Sequence, residues 1–563
     1  MAEVVAMLHT LARGCDWIVL WLDCDREGEA IAFEVLETCQ HVKPNLQVFR
    51  AEFSALTAED LHRACQTLRA PDRRQADAVM ARSEIDLRIG SVFTRYMTLR
   101  LRRKFAGLPR LISYGPCQFP TLGFVVEQFL KVQRFVPETF WRIKVVVQKA
   151  DIAGNVLPVD FNWDRHRLFD RFCCFILYEM CVQARVGVIT SVQVKPKSRW
   201  RPVPLNTIEF SKLVTLKLRM SAQHGLSIAE QLYQKGVISY PRTETNAYSE
   251  TMDVRGLVAM QQTHSVWGPY ARALLEQNKY VPPRHGDRDD QAHPPIHPVK
   301  AVDREHMEAG QWPVYELITR HFLASVSADA QGSQTVVGMK LGGELFSATG
   351  LIVTARNYLE IATFDSWGGH QIPPFVVGEE VRPSVLEMEE SRTTPPPLLS
   401  ESELITLMDR NGIGTDATMP QHIKTIKDRE YVSETEGRLL LPSQLGVALV
   451  LGFKAYAGLP NGGIDLSLPN LRRAMEQEMG RIAAGQQNKA TFIEQCLAEM
   501  TRIFQMVAGS PQVLEHQLGE YFAGGAALAQ QAPVVHPGFS ACRCGNMMDL
   551  RGTAPAAAPG RGK

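Results

Sequence analysis

The sequence predicts a multidomain chain, with an α/β unit first and helical and β-rich segments alternating after it. Three observations carry this prediction. At 563 residues the chain is too long for a single core. Trp17-Ile-Val-Leu-Trp-Leu22 is an unbroken apolar run ending in acids, which reads as a buried strand of a parallel sheet. Downstream, the hydrophobic period switches repeatedly between the helical and the strand repeat.

Taken in order, residues 30–39 read as a helix with Ile31, Val35 and Cys39 on one face. Residues 46–49 are a second short strand, and Thr57-Ala-Glu-Asp60 caps another helix. This strand–helix–strand–helix order predicts a small α/β domain with a parallel sheet. Ligands of such sheets gather beyond the carboxyl ends of the strands, where Asp23 and Asp25 stand. Residues 76–132 are mainly helical, with breaks at Leu108-Pro109 and Gly115-Pro116. Residues 143–147, 156–161 and 188–194 read as strands, followed by a linker over residues 195–202. Helices return over residues 206–323, among them 221–234, closed by Gly236. Strand signals reappear over residues 335–362. A proline-rich linker, 394–398, precedes a last helical block ending near Ala508. The two β stretches are expected to form one domain with a helical domain inserted between them. The tail beyond Pro511 is rich in Ala, Gly and Pro and is expected to be partly disordered.

Composition narrows the class without naming a function. No apolar run is long enough to span a bilayer, and the first residues lack the pattern of a secretory signal. Eleven cysteines with no Cys-x-x-Cys pair fit a reducing compartment better than a disulfide framework. Cys542-Arg-Cys544 supplies two thiols where a zinc site needs four ligands, so a complete zinc finger is rejected. Net charge is only +1, yet residues 69–110 concentrate Arg73, Arg74, Arg82, Arg88, Arg95, Arg100, Arg102, Arg103 and Lys104. By itself that run reads as a solvated helix face.

Four motifs can carry chemistry. Tyr240 lies in Lys235-Gly-Val-Ile-Ser-Tyr-Pro-Arg-Thr-Glu-Thr-Asn246. A phenol titrates near 10, so nucleophilic attack at neutral pH needs help. Arg242 is suited to stabilise both a phenolate and a pentavalent phosphate, and Pro241 fixes the backbone beside the tyrosine. For a bare Tyr-Pro-Arg, a packed strand tyrosine beside a turn is the simpler reading. Asp23-Cys-Asp25-Arg-Glu27-Gly-Glu29 offers alternating carboxylates to Mg2+, or else an acidic helix cap. In Gln291-Ala-His293-Pro-Pro-Ile-His297-Pro298 the prolines forbid the helix a two-histidine metal site would need. His293 therefore reads as a phosphate contact or proton donor, or as part of a rigid surface turn. Gly412-Ile-Gly-Thr-Asp-Ala-Thr418 turns into a helix whose free N–H groups suit a phosphate, and equally suit an ordinary cap.

Together these segments resemble type IA DNA topoisomerases, most closely their eukaryotic topoisomerase III alpha subgroup. The resemblance rests on Leu22-Asp-Cys-Asp-Arg-Glu-Gly-Glu29, Ala81-Arg-Ser-Glu-Ile-Asp-Leu-Arg-Ile-Gly90, Ile112-Ser-Tyr-Gly-Pro-Cys-Gln-Phe-Pro-Thr-Leu-Gly123 and the tyrosine, histidine and glycine motifs above, in family order over residues 16–505. It implies a toroidal architecture: a partial Toprim domain, 1–68; a helical single-strand-binding domain, 69–137 and 400–508; a β-rich arch, 138–204 and 330–399; a helical domain bearing the tyrosine, 205–329; and a flexible tail, 509–563.

The resemblance also implies roles. Tyr240 would be the nucleophile, Arg242 the transition-state stabiliser, and His293 a contact to the scissile phosphate. Asp23, Asp25 and Glu27 would hold Mg2+. Arg82, Asp86, Gly115, Gln118 and Thr418 would line the bound strand, and the basic run from Arg69 would be part of an electrostatic funnel for single-stranded DNA. The expected activity is ATP-independent cleavage and religation of one DNA strand through a 5′-phosphotyrosine, relaxing negative supercoils and resolving recombination or replication intermediates. A RecQ-type helicase and an OB-fold cofactor protein would be partners, and the nucleus the location. One departure stands out: residues 1–14 contain no Val-x-x-Val-Ala-Glu-Lys-like strand, whose glutamate the family leads one to expect as general acid. The alternative expectation is a catalytically impaired DNA-binding or scaffold fragment.

Overall fold

The computed structural model describes residues 2–415, 418–459 and 463–522, and the backbone of residues 534–541 and 547–551. Cys542 and Cys544, and Asp416 and Ala417 of the glycine motif, lie outside the described residues.

The N-terminal unit is α1 (Ala2–Arg13), β1 (Trp17–Trp21), α2 (Arg26–Gln40), β2 (Gln47–Ala51) and α3 (Ala58–Gln66). β1 and β2 pair in parallel from Trp17 opposite Gln47 to Trp21 opposite Ala51. The Thr57 hydroxyl caps α3 by accepting from the Asp60 N–H. Of the expected face of α2, Cys39 is buried with Val35 packed beside it, and only Ile31 departs. Ile31 is 48% exposed, whereas Phe33 and Leu36 pack with Ala76. A short apolar helix admits more than one face, and its packing partners choose between them.

Next come α4 (Arg73–Lys104) and α5 (Gln118–Gln133), then β3 (Thr139–Ala150), β4 (Val156–Trp163), α6 (Arg171–Ala184) and β5 (Gly187–Arg199). A helical segment follows: α7 (Thr207–Leu213), α8 (Ala222–Gln234), α9 (Val254–Met260), α10 (Gly268–Glu276) and α11 (Gln311–Ser325). The chain then returns to strands: β6 (Ala330–Leu341), β7 (Glu344–Ala355), β8 (Glu380–Val381) and β9 (Pro383–Arg392). Strands from before and after the helical segment interleave in one seven-stranded antiparallel sheet, ordered β8-β5-β6-β7-β4-β3-β9.

Two features of this sheet were not anticipated. Residues 195–199, expected as linker, extend β5 and pair with residues 330–334 of β6. β9 is a full strand although it carries Glu387, Glu389 and Glu390. Its acids have partners across the sheet: Glu389 pairs with Arg142 at 2.7 Å and Lys144 at 2.9 Å on β3. Cross-strand charge pairing of this kind is invisible to local propensity.

The last block comprises α12 (Glu401–Arg410), α13 (Met419–Asp428), the hairpin β10 (Val432–Glu434) and β11 (Leu440–Pro442), α14 (Gln444–Tyr456), α15 (Asn470–Ala483), α16 (Lys489–Gly509) and α17 (Pro511–Gly519). Residue 511 thus begins a helix rather than a disordered tail. Proline suits a first helical turn, and Leu514 and Leu518 bury themselves in the core. Beyond it, β12 (Val534–Ala541) and β13 (Met547–Arg551) form an antiparallel pair.

Three main cores result. Ile85 and Phe93 of α4 and Phe119 of α5 share one with Met408, Phe453 and Ile503 from the last block. Phe210, Leu226, Trp267, Phe322 and Tyr240 lie in a second. Ile143, Phe161, Val337 and Phe346 fill the third, on the sheet.

Candidate active site

Two loops meet at the carboxyl ends of β1 and β2, one from the α/β unit and one after α8. Asp25 caps α2, its Oδ1 accepting from the Gly28 N–H at 2.7 Å. The loop is tight enough that a Cβ at Gly28 would lie 1.9 Å from the Asp23 carbonyl oxygen. Gly28→Ala is therefore expected to force the loop apart at a cost of about 2 kcal/mol. Denaturant unfolding of the variant measures this; an unchanged midpoint would contradict the close approach.

Arg50, at the end of β2, holds the loop from beneath. Only 1% of it is exposed. Its Nε donates to Glu29 Oε1 at 2.7 Å. Nη1 donates to the carbonyls of Leu20, Leu22 and Ala51, and Nη2 to that of Asp23 at 2.5 Å. Carbonyls at the end of an edge strand would otherwise be orphaned, and one guanidinium satisfies several of them.

The second loop brings the tyrosine. α8 ends in Gly236 with φ +65°, which turns the chain back. Ile238 bridges Pro298, the Ser239 N–H donates to the His297 carbonyl, and the Tyr240 N–H donates to the Ser54 carbonyl at 2.9 Å. Tyr240 is thus anchored to the loop after β2. Its hydroxyl donates to Asp25 Oδ2 at 2.5 Å. At the penultimate residue of α8, the Tyr233 hydroxyl donates to Asp23 Oδ1 at 2.9 Å, and the two tyrosine rings meet edge to face at 5.1 Å.

Charge and partial burial together set the electrostatics of this pocket. Burial raises the Asp23 carboxyl above its usual value, and the neighbouring charges of Asp25 and Glu230 add to the rise; the Tyr233 hydrogen bond and Arg50 oppose it. Burial, then the Asp25 carboxylate, hold the Tyr240 phenol well above its ordinary value, while Arg242 pulls the other way. At rest the phenol keeps its proton.

His293 stacks on Tyr240, ring centroids 4.4 Å apart. Its Nδ1 lies 3.1 Å from Ser54 Oγ, and the Ser54 hydroxyl donates to the Ala292 carbonyl. That arrangement puts the ring proton on Nδ1. Nε2 is buried and, among the described residues, has no hydrogen-bond partner. Burial, with a contribution from Arg50, pushes its pKa down to about 4 against the pull of Asp290 and Asp25, so it is neutral at pH 7. Asp290 fixes the loop: its carboxylate accepts from the N–H groups of Ala292, His293 and Glu244 and from the Thr243 hydroxyl.

The other expected site residues are placed as follows. Arg242 is ion-paired with Glu230 on α8, its Nε donating to Oε1 at 2.7 Å. Arg82 on α4 donates to Glu27 Oε1 at 2.7 Å. The three expected carboxylates therefore do not converge, and among the described residues no group of three His, Cys, Asp or Glu side chains is disposed to hold a metal. Asp23 and Asp25 still fit a hard cation: both offer oxygen donors, their charges act on one another, and Mg2+ commonly takes one or two carboxylates. Asp86 accepts from Arg472 of α15 at 2.5 Å. Gln118 donates to the Ser113 hydroxyl at 3.1 Å, and Gly115 lies against it. The Thr418 hydroxyl accepts from the Thr415 N–H at 2.8 Å at the start of α13. Burial and the charges of Arg472 and Arg82 push His422, one turn on, down to about 3. These cations thus gather near the Thr418 end of α13.

Sequence reasoning missed Tyr233, Arg50, Glu230 and Arg472. Tyr233 stands seven residues before Tyr240, on the helix closed by Gly236. Arg50 was signalled by a lone basic residue at the end of the second predicted strand. Glu230 and Arg472 carried no local signal.

The chain matches the DNA topoisomerase family over residues 70–494 and the Toprim domain over residues 1–56. It is 44% identical over 534 residues to DNA topoisomerase 3-alpha of Homo sapiens, covering 94% of this chain and 52% of that protein. It is 41% identical over 516 residues to DNA topoisomerase 3 of Schizosaccharomyces pombe, covering 90% and 81%. Full-length topoisomerase I of Thermotoga maritima has a similar fold, with a TM-score of 0.70 at 24% identity, covering 98% of this chain and 84% of that one. The chain spans about half the length of the human and Arabidopsis thaliana relatives it matches, 52% and 54%.

Proposed function

The chain belongs to the type IA DNA topoisomerase family and has its fold, and from that premise we propose that it cleaves and rejoins one DNA strand through Tyr240. The observation that carries the proposal is the Tyr240 hydroxyl donating to Asp25 at 2.5 Å, beside His293 and at the carboxyl end of β1.

In the cleavage step, Tyr240 Oη attacks a backbone phosphorus as its proton passes to the Asp25 carboxylate. The new bond is Oη–P; the bond broken is P–O3′, and the departing 3′-oxygen takes up one proton from solvent as Asp25 gives up the one it received, so the step is proton-neutral overall. The protein is left holding a 5′-phosphotyrosine, and reversal by the 3′-hydroxyl restores the strand. The ester conserves the bond energy, so no nucleotide hydrolysis is needed. Arg242 is suited to neutralise the charge that grows on the phosphate. His293 presents Nε2 to the same space; a phosphate beside it would raise its pKa and let Nε2–H donate. Asp23 and Asp25 would hold Mg2+, whose charge would offset that of the carboxylates and the phosphate.

By family membership we extend the proposal to relaxation of negative supercoils and resolution of recombination and replication intermediates, in the nucleus, with a RecQ-type helicase and an OB-fold protein as partners. Arg82, Asp86, Gly115, Gln118 and Thr418 would line the bound single strand. A suicide substrate, a single strand whose 5′ segment departs with the new 3′-hydroxyl on cleavage, tests the core of this reading. With Mg2+ present, a covalent protein–DNA adduct is expected, and its loss in EDTA would support the metal assignment. Binding without any adduct would favour the DNA-binding scaffold instead.

A further inference from the structure

We propose that Glu230 is a positioning residue that holds Arg242 in reserve and yields it to a DNA phosphate, so that this carboxylate sets how tightly the site grips single-stranded DNA. The inference rests on the strand-cleavage reading, because it takes a backbone phosphate as the ligand that displaces Glu230.

The geometry is that of an ion pair built to exchange. Arg242 Nε donates to Glu230 Oε1 at 2.7 Å, and Nη2 reaches the same carboxylate. A guanidinium fork fits a carboxylate and a phosphate in the same way, so the two compete for the same N–H groups. Both side chains remain accessible, 24% for Arg242 and 31% for Glu230, so an incoming phosphate can reach the pair. Glu230 lies on α8, the helix that also supplies Tyr233, and the Glu230 charge is felt at Asp23. The pocket therefore holds Asp23, Asp25 and Glu230 with Arg242 among them.

A phosphate entering this pocket adds another negative charge. It is stabilised to the extent that Arg242 turns from Glu230 towards it. At rest, Glu230 lowers the cost of keeping the guanidinium beside the tyrosine before DNA arrives. Asp25 does the same for the phenol. Each reactive group thus has its own acidic holder, and on this reading the substrate releases one from each.

Glu230→Gln keeps the volume and an acceptor oxygen but removes the competing charge. Fluorescence anisotropy with a labelled single-stranded oligonucleotide, in a Tyr240→Phe background that excludes covalent trapping, reads the effect directly. Glu230→Gln is expected to tighten binding about tenfold, which is about 1.4 kcal/mol. Glu230→Asp, which keeps the charge, is expected to stay within about threefold of the parent. With Arg242→Ala also present, the gain is expected to shrink to less than about twofold, since the coupling between the pair is then gone. The salt dependence of binding is expected to steepen by about 0.7 in Glu230→Gln, because the phosphate then no longer displaces a carboxylate that takes up a cation in exchange. A merely structural role for Glu230 would not move that slope. Unchanged or weaker binding in Glu230→Gln overturns the inference, and so does a tenfold gain that survives in the Arg242→Ala background, which would be a generic charge effect. The strand-cleavage reading fails separately: it fails if the parent chain gives no adduct with the suicide substrate, whatever Glu230 does to binding.

Discussion

Replacing Tyr240 with phenylalanine is expected to abolish covalent capture of DNA while sparing single-strand binding. The substitution removes one oxygen. The ring stays, and with it the edge-to-face contact with Tyr233 and the stack on His293. The lost hydrogen bond to Asp25 is worth about 1 kcal/mol, so the fold is expected to survive. The nucleophile has no substitute among its neighbours: Tyr233 donates to Asp23, and His293 is neutral and buried. Removing a nucleophile that acts as a unit with its base and stabiliser costs a rate factor on the order of 10⁴ or more. Adduct formation on a suicide substrate measures the first half of the prediction and anisotropy the second. A residual adduct would move the nucleophile elsewhere; loss of binding as well would make Tyr240 a structural residue.

Arg50→Met is expected to destabilise the N-terminal unit by about 3–5 kcal/mol. Methionine fills similar space but donates nothing. It would leave the Glu29 carboxylate without its cation, and deprive the carbonyls of Leu20, Leu22, Asp23 and Ala51 of a donor. The Asp72 N–H would still reach Glu29 Oε2 at 3.1 Å, which is too little to offset a lost guanidinium. Denaturant unfolding followed by tryptophan fluorescence reports the loss, since Trp17 and Trp21 lie on β1. Adding Glu29→Gln to Arg50→Met is expected to recover part of it, because the uncompensated charge goes. Because Arg50 also fixes the Asp23 carbonyl, adduct formation is expected to fall with stability. A variant that unfolds like the parent would show that the loop needs no such clamp.

Much of the fold was legible in local pattern. The Thr57 cap and the Gly236 turn are features of single segments, and each sits where its residues predict; the apolar run of β1 forms the expected strand but is not the buried one its composition suggested, since Trp17, Val19 and Trp21 are exposed. β9 was not legible, because an acidic strand is stable only when Arg142 and Lys144 face it from a strand some 240 residues earlier. The helix from Pro511 was masked by the Ala, Gly and Pro that follow it, while its stabilising contacts lie in the distant core.

The site divides in the same way. The sequence by itself determined the reactive groups: a tyrosine two residues from an arginine, carboxylates alternating at the end of a strand, and a histidine held among prolines. Those choices are local, because reactivity needs particular atoms and a particular backbone to present them. Only the tertiary structure decided who holds whom. Tyr240 is held by Asp25, Tyr233 by Asp23, Arg242 by Glu230 and Glu27 by Arg82. Charge pairing in a buried pocket depends on distance in space, through desolvation and Coulomb interactions that fall off over a few ångströms. Chain spacing carries no record of those distances when 215 residues separate Tyr240 from Asp25.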